Sequence, residues 1–376
     1  MLKVLICGDY CPCDRVQQLV ESEKYKDVFC EVRQYTSQAD YSIVNLEAPV
    51  VESKAEPIEK CGPNLKCSSK AIKALKYAGF NMVTLANNHF YDYGEEGVKD
   101  TLRVCGENVI DTVGGGVNIS DASQTLYKEI KGVRLAFINC CEREFSIATD
   151  KSGGSNPLNP IQQYYAIAEA KKRADKTIVI VHGGHEHFNL PSPRMKETYR
   201  FFIDAGADVV INHHQHCYSG YEEYKGKPIF YGLGNFCFDR DSQRNTSWNE
   251  GYMVMLNVED EISYDIIPYL QGNDLPGVCV LLKDEKFVFD DRIANLNAII
   301  SNDGQLISER DQFMYKTRRG YISSLEPYQN RYLSALYWRG VLPSTIGKRK
   351  MQLLNYLQCE SHIERLLYSL QNKDKK

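Results

Sequence analysis

The chain has 376 residues, 43% of them apolar and 25% charged, with a formal net charge of −4. That length suits one large domain with an appendage, or two domains, and the composition is that of an ordinary soluble globular protein. The acidic balance, with no basic stripe interleaved with aromatics, argues against nucleic acid as a partner, and no apolar run approaches the ~20 residues of a membrane span.

At the N-terminus a single lysine, Lys3, is followed by four apolar residues and then Gly8-Asp9. This is too short for a signal peptide and reads as a first strand. Thirteen cysteines are an odd number in a long chain, which fits free thiols and a cytoplasmic setting better than disulfides.

Strands are expected at Leu2–Cys7, Tyr41–Asn45, Asn81–Ala86, Val133–Cys140, Lys176–Val181, Ala207–Ile211 and Pro228–Leu233. They are short, rich in Val and Ile and nearly continuously apolar, as strands covered on both faces should be. Amphipathic helices are expected between them at Ser68–Ala78, with Ser68 as cap, Glu95–Cys105, Gln162–Ala174 and Lys196–Ala205. The alternation predicts an α/β architecture. Lys151–Pro160, rich in Gly, Ser, Asn and Pro, reads as a long surface loop.

The texture changes near residue 240. Tyr252–Asn257 and Ile262–Pro268 read as an antiparallel pair, and Val278–Leu282 and Lys286–Phe289 as further β segments. The rest is mainly helical, at Arg292–Ile300, Tyr328–Trp338 and Lys348–Leu370, with breaks at Gly340 and Pro343 and a solvated tail from Asn372. The aromatics Phe313, Tyr315, Tyr321, Tyr328, Tyr332, Tyr337 and Trp338 read as core. The expected division is residues 1–272 and a mainly helical 273–376.

Seven of the eight histidines fall between His89 and His216, in groups that follow apolar runs. Strand ends are where an α/β scaffold presents side chains to a ligand. Here they carry Asp9, Asn45 and Glu47, Asn88 and His89, His182, and the group His213, His214 and His216. Taken singly, each is commonplace: a helix cap, a turn, a core histidine. Taken jointly they form a mixed oxygen and nitrogen ligand set that suits zinc, manganese or iron, as one or two divalent ions. In a regular strand residues i and i+2 point the same way, so His214 and His216 are expected to converge with His213 turned aside. A pair of cations so held can activate water and clamp a phosphoryl group.

Gly8-Asp9, Asn45-Leu46-Glu47, Leu85-Ala86-Asn87-Asn88-His89 followed by Asp92-Tyr93-Gly94-Glu95-Glu96-Gly97, His182-Gly183-Gly184-His185-Glu186, Gly206 through His216 and Tyr231-Gly232-Leu233-Gly234-Asn235-Phe236 together resemble the CapA family. These are poly-γ-glutamate capsule biosynthesis proteins of the calcineurin-like metallophosphatase superfamily, and the resemblance covers roughly residues 1–240. It implies a β-sandwich flanked by helices, with metals at one sheet edge. Asp9, Glu47, Asn88, His182, His214 and His216 would be the metal ligands, with Glu47 where the superfamily places its bridging aspartate. His89 would stabilise the leaving group or the transition-state charge. Two departures are visible. The usual Asp-x-His is Asp9-Tyr10-Cys11 here, so that Cys11 could replace the imidazole as a thiolate, and the bridging position carries the longer Glu47.

Position suggests further roles. Glu186 would be a general base or an orienting group. Arg194, His185, Asn45 and Asn235 would contact a small-molecule or polymer substrate bearing phosphate or carboxylate groups, Arg194 in bidentate fashion. His187 and His213 would support the site, and His362 would be structural or exposed. Three functions remain open: a metal-dependent phosphoesterase of capsule or cell-surface polymer synthesis, an amide-bond hydrolase or transferase on glutamyl polymers, and a non-catalytic accessory subunit docking capsule-synthesis partners.

Overall fold

The computed structural model describes residues 1–323, 330–343 and 346–372. Two sheets dominate it. In the first, Leu2–Tyr10 lies at the centre, followed outward by the parallel strands Tyr41–Leu46, Met82–Thr84 and Asp111–Val113. On its other side come Glu250–Val258, Ile262–Gln271 and Val278–Val280, all antiparallel, and the short Asn235–Cys237 also pairs with Leu2–Tyr10. The second sheet runs Tyr221–Tyr224, Lys227–Phe230, Val209–His213, Lys176–His182, Val133–Cys141, Leu126–Ile130, parallel in its middle and antiparallel at both edges.

Side chains of a strand alternate between its two faces, and the first sheet uses both. Val4, Ile6, Ile43, Met82, Val254 and Leu256 join one buried cluster with Phe137, Val179 and Val210 of the second sheet. Their neighbours Leu5, Cys7, Val44, Val83, Met253 and Met255 join another, with Ile72 and Leu75 of the helix Ser69–Ala78 and Val98 of the helix Gly94–Glu107. The result is the sandwich of two sheets with flanking helices that the resemblance implied. The outer face of the second sheet is covered by Pro160–Arg173 and Pro193–Ala205. Both helices begin with proline in the first turn behind a capping side chain, Asn159 or Ser192, which accepts backbone N–H bonds.

Several expectations need correction. Ser68 stands at the cap position, but its hydroxyl donates to Glu21 at 2.5 Å rather than serving the helix. Lys151–Pro160 is not a surface loop: Gly153–Leu158 is buried, and Gly154–Ser155 pairs with Gly115–Gly116. Lys286–Phe289 is helix rather than strand, within Lys283–Ser301. Phe289, Ile293, Leu296 and Ile300 recur at helical spacing and enter the main core, so tertiary burial overrides the local Phe-Val-Phe run. This first C-terminal helix therefore shares the core of the preceding residues.

The expected helix Lys348–Leu370 is two, Lys350–Gln358 and Glu360–Gln371, broken at an extended Cys359. Tyr321 is buried as expected, but Tyr332 is 72% exposed and Tyr337 39%. Tyr328 and residues 373–376 lie outside the described residues, as does the side chain of Trp338. No described helix is long and apolar enough to cross a membrane.

Gly8 shows how the sheet aims its end. The register between Leu2–Tyr10 and Tyr41–Leu46 skips from Cys7↔Val44 to Asp9↔Asn45, so Gly8 is the extra residue of a bulge. A Cβ placed there would lie 1.9 Å from the Gly234 carbonyl oxygen, a backbone atom that cannot step aside. Gly8→Ala should therefore cost about 1–3 kcal/mol of stability, as overpacked cores do. Chemical denaturation checks this, and an unchanged midpoint would show that the strands part freely.

Candidate metal centre

The bulge at Gly8 delivers Asp9 into a buried cluster at one end of both sheets. Asp9 is 1% exposed, Glu47 0% and His182 2%. Glu47 follows the strand Tyr41–Leu46 and is anchored by its N–H on the Tyr10 carbonyl at 2.9 Å. Within this cluster, two groups of side chains bring ligand atoms within 4.8 Å of one another. Glu47, His182 and His214 form one, and Asp9, Glu47 and His216 the other. Glu47 belongs to both. Its Oε1 lies 3.9 Å from His182 Nε2 and 3.9 Å from His216 Nε2. Asn88 Oδ1 meets His182 Nε2 at 3.0 Å, alongside His214 Nδ1 at 3.1 Å.

The surroundings fit divalent cations. Among the described residues, neither Glu47 carboxylate oxygen has a hydrogen-bond partner of good geometry, although both are buried. Buried carboxylates are ordinarily paired or bound to metal. Burial pushes the Glu47 carboxyl well above its usual range, and Asp9 and Glu186 add to the effect. The imidazoles are kept neutral, as ligation requires: burial, reinforced by His214 and His213, holds His182 well below its ordinary value. Burial also brings His216 down to about 4.

The convergence of His214 and His216 does not arise from strand alternation. The strand ends at His213, and His214 and His216 lie beyond it with φ of 96° and 58°. This left-handed backbone is uncommon for residues with a Cβ, and it turns both rings inward. The His214 N–H reaches Asp9 Oδ2 at 3.2 Å. His213 is not turned aside either, since its Nδ1 lies 3.7 Å from Asp9 Oδ1. Cys11, the thiolate candidate, is in neither group. Its Sγ meets that of Cys13 at 3.3 Å, and burial, with Cys13 assisting, keeps the thiol protonated.

Two residues expected to contact substrate are hydrogen-bonded to candidate ligands. Asn45 is 1% exposed, and its amide donates to Asp9 Oδ1 at 2.7 Å while lying 3.3 Å from His182 Nδ1. Asn235 is fully buried, and its Oδ1 lies 2.9 Å from His216 Nδ1. That bond places the proton on Nδ1 and leaves Nε2 facing Glu47, as an outer partner of a metal-binding histidine does. His185 and Arg194 lie apart from the centre, against Glu364 of the C-terminal helix. Glu186 is exposed on the loop after the His182 strand.

His89 is held from behind. Its N–H donates to Asn87 Oδ1 at 3.1 Å, and its Nδ1 lies 2.7 Å from Asp92 Oδ2. Lys60, with a side chain only 3% exposed, pairs with Asp92 and reaches His89 Nδ1 at 3.1 Å. Burial, with Lys60 next, lowers the His89 pKa. Sequence reasoning missed Lys60, which stands in a stretch without regular elements. The segment is folded back by the Ile58 N–H on the Asp92 carbonyl and the Leu65 N–H on Asp92 Oδ2.

Residues 3–240 match the family model described as bacterial capsule synthesis protein PGA_cap. The chain is 34% identical over 298 residues to the capsule biosynthesis protein CapA of Bacillus anthracis, covering 76% of this chain and 72% of that protein. It is also 34% identical over 244 residues to the PGA biosynthesis protein CapA of Bacillus subtilis strain 168, where the match spans 64% of each. Among solved structures, a 5'-nucleotidase precursor from Thermus thermophilus aligns at a TM-score of 0.45 and 10% identity, over 80% of this chain and 59% of that one.

The His216 environment fixes a pH response. Its ordinary value is 6.5 and its folded value about 4, so between these the unfolded chain takes up the proton and the folded chain does not. Its contribution to stability is thus complete above pH 6.5, declines as pH falls toward 4, and levels off below. Because the raised Glu47 carboxyl moves total stability the other way over this window, it is the difference in urea midpoint between chelator-treated wild type and His216→Ala that should follow that course, and a difference that stays flat from pH 6.5 to 4 would exclude it.

Proposed function

This chain belongs to the bacterial capsule synthesis protein family PGA_cap, and on that premise we propose that it is a divalent-metal-dependent hydrolase acting on a phosphoester in capsule or cell-surface polymer assembly. The observation that carries the reading is Glu47, a buried carboxylate without hydrogen bonds that is common to two groups of ligands. Asp9, Glu47 and His216 would hold one ion, and Glu47, His182 and His214, with the Asn88 amide oxygen beside them, another. Zinc, manganese or iron bound there would polarise a phosphoryl oxygen and acidify water.

The chain's own residues then have separable tasks. Asn45 and Asn235 fix Asp9 and His216 in their orientations. The burial that isolates the cluster from bulk water strengthens every charge interaction inside it. His89, fixed through Nδ1 on Asp92, leaves Nε2 to take up the proton released by the attacking water and pass it to the departing oxygen. Glu186, exposed beside the centre, would position or deprotonate the attacking water. In this reading the chain works in the cytoplasm beside other capsule-synthesis proteins.

A second reading draws on one observation. Two residues after Asp9, where the superfamily's usual Asp-x-His would place a histidine, stands Cys11, whose thiol is turned to Cys13. One ligand group therefore has a single imidazole, which suits a structural metal in an accessory subunit. Metal content and turnover separate the readings. Protein purified without chelator should carry metal and hydrolyse an aryl phosphate, and His214→Ala with His216→Ala should lower kcat by about 100-fold or more, in line with the loss of a metal's charge stabilisation. Full metal and activity in that variant would sink the proposal. Stoichiometric metal with no turnover of aryl phosphate would favour the accessory role, and turnover confined to γ-glutamyl peptides would favour amide-bond chemistry.

A further inference from the structure

The helix Glu360–Gln371 lies outside the stretch matched by the family model, yet its first turn docks on Glu142 and Glu144, which follow the strand Val133–Cys141. The docking is ionic. Glu360 accepts the Arg143 backbone N–H and its Nη1, both at 2.8 Å. Glu364 pairs with Arg194 Nε, while Arg194 Nη2 donates to Glu142 Oε1 at 2.5 Å and Ser361 Oγ at 3.2 Å. His362 Nε2 lies 3.3 Å from Glu144 Oε1. Glu360 and Glu364 stand one helical turn apart on the same face, so one rigid element presents two carboxylates to two arginines. The apolar side of the helix is used elsewhere: Leu366 packs with Tyr321 and Tyr356 in a small cluster separate from both main cores.

The fit at the deepest of these contacts is incomplete. His185 is 1% exposed, and among the described residues neither of its ring nitrogens makes a hydrogen bond of good geometry. Glu364 Oε2 lies 3.3 Å from His185 Nε2 and also lacks a hydrogen bond. Buried polar atoms are rarely left so. A carboxylate tethered to a helix backbone reaches Arg194 but approaches the imidazole at the wrong angle. A free oxyanion has no such tether.

We propose that Arg194 and His185, with Arg143 beside them, form a subsite for a carboxylate or phosphoryl group, that Glu364 and Glu360 fill it in this closed state, and that an anionic ligand displaces Glu364 and releases the helix Glu360–Gln371. The subsite takes its place in catalysis from the reading of the adjoining metal centre, but its occupancy is measured without turnover. Glu142 remains when the helix leaves. It keeps one Arg194 nitrogen occupied, so the incoming group needs to satisfy only Nε and the imidazole.

Amide hydrogen exchange of the full, metal-replete chain tests this. Glutarate and inorganic phosphate are the probes, added separately. Either should raise exchange across residues 359–371 by about tenfold, the signature of a shifted local opening equilibrium. Glu364→Gln, which keeps the side chain's shape, should speed the same amides without ligand. It should also tighten binding of the effective probe by about tenfold, because the competent state no longer competes with an internal carboxylate. Arg194→Met should lose probe-induced release even if phosphate still binds at the metals. Acceleration by phosphate alone identifies a phosphoryl subsite, and acceleration by glutarate alone a carboxylate one. Unchanged or slower exchange in the wild-type chain with both probes overturns the proposal, as does a Glu364→Gln chain that opens without binding more tightly. The wild-type arm needs no variant to fold, and a chain that holds metal but fails it leaves the metal reading intact.

Discussion

The arrangement of this protein turns on one uncompensated charge. Glu47 is fully buried, accepts no hydrogen bond of good geometry among the described residues, and sits between His182 and His216 at 3.9 Å from each. An ionised carboxylate costs several kcal/mol to isolate from water, so the chain has either to protonate it or to supply a cation. The neighbouring side chains argue for the cation. Asp9 and three imidazoles surround it, those of His182 and His216 held neutral by burial, and two asparagines hold Asp9 and His216 in place. The two sheets supply the frame. Parallel strands that end together bring side chains from distant parts of the sequence into contact, which no single helix or hairpin can do.

Much of this could be read in the residues. The strand ends announced themselves because each functional side chain follows an apolar run, and buried strands are continuous in hydrophobicity. The two-sided use of the first sheet follows from the same property. What escaped was whatever depends on backbone conformation or on partners far away in sequence. His214 and His216 look like two residues of a strand, but they converge because the backbone goes left-handed after His213. Asn45 and Asn235 look like substrate contacts, because an amide at a strand end has no mark that tells a ligand holder from a ligand reader. Lys60 looks like a surface charge until the segment around it folds onto Asp92. The run Phe287-Val288-Phe289 looks like a strand because local propensity is read before the helical recurrence of Phe289, Ile293, Leu296 and Ile300.

The C-terminal region changes what counts as the site. The sequence suggested an appendage for meeting partner proteins. In the fold, its first helix completes the main core and its last one closes over Glu142, Glu144, His185 and Arg194. Glu142 illustrates the coupling. Burial works to raise its carboxyl, but Arg194 and Ser361 outweigh that and hold it at about 2. A charge that belongs to one end of the sheet is thus kept ionised by groups from two different parts of the chain.

The left-handed backbone at His214 and His216 has a consequence for how this sequence can change. Such conformations cost of order 1–3 kcal/mol each when a Cβ is present, and glycine would adopt them freely. Relief of backbone strain alone would therefore favour glycine at these two positions, while each such exchange would empty a buried ring site and delete a candidate ligand. Backbone ease and the proposed cation binding pull against each other at the same two residues.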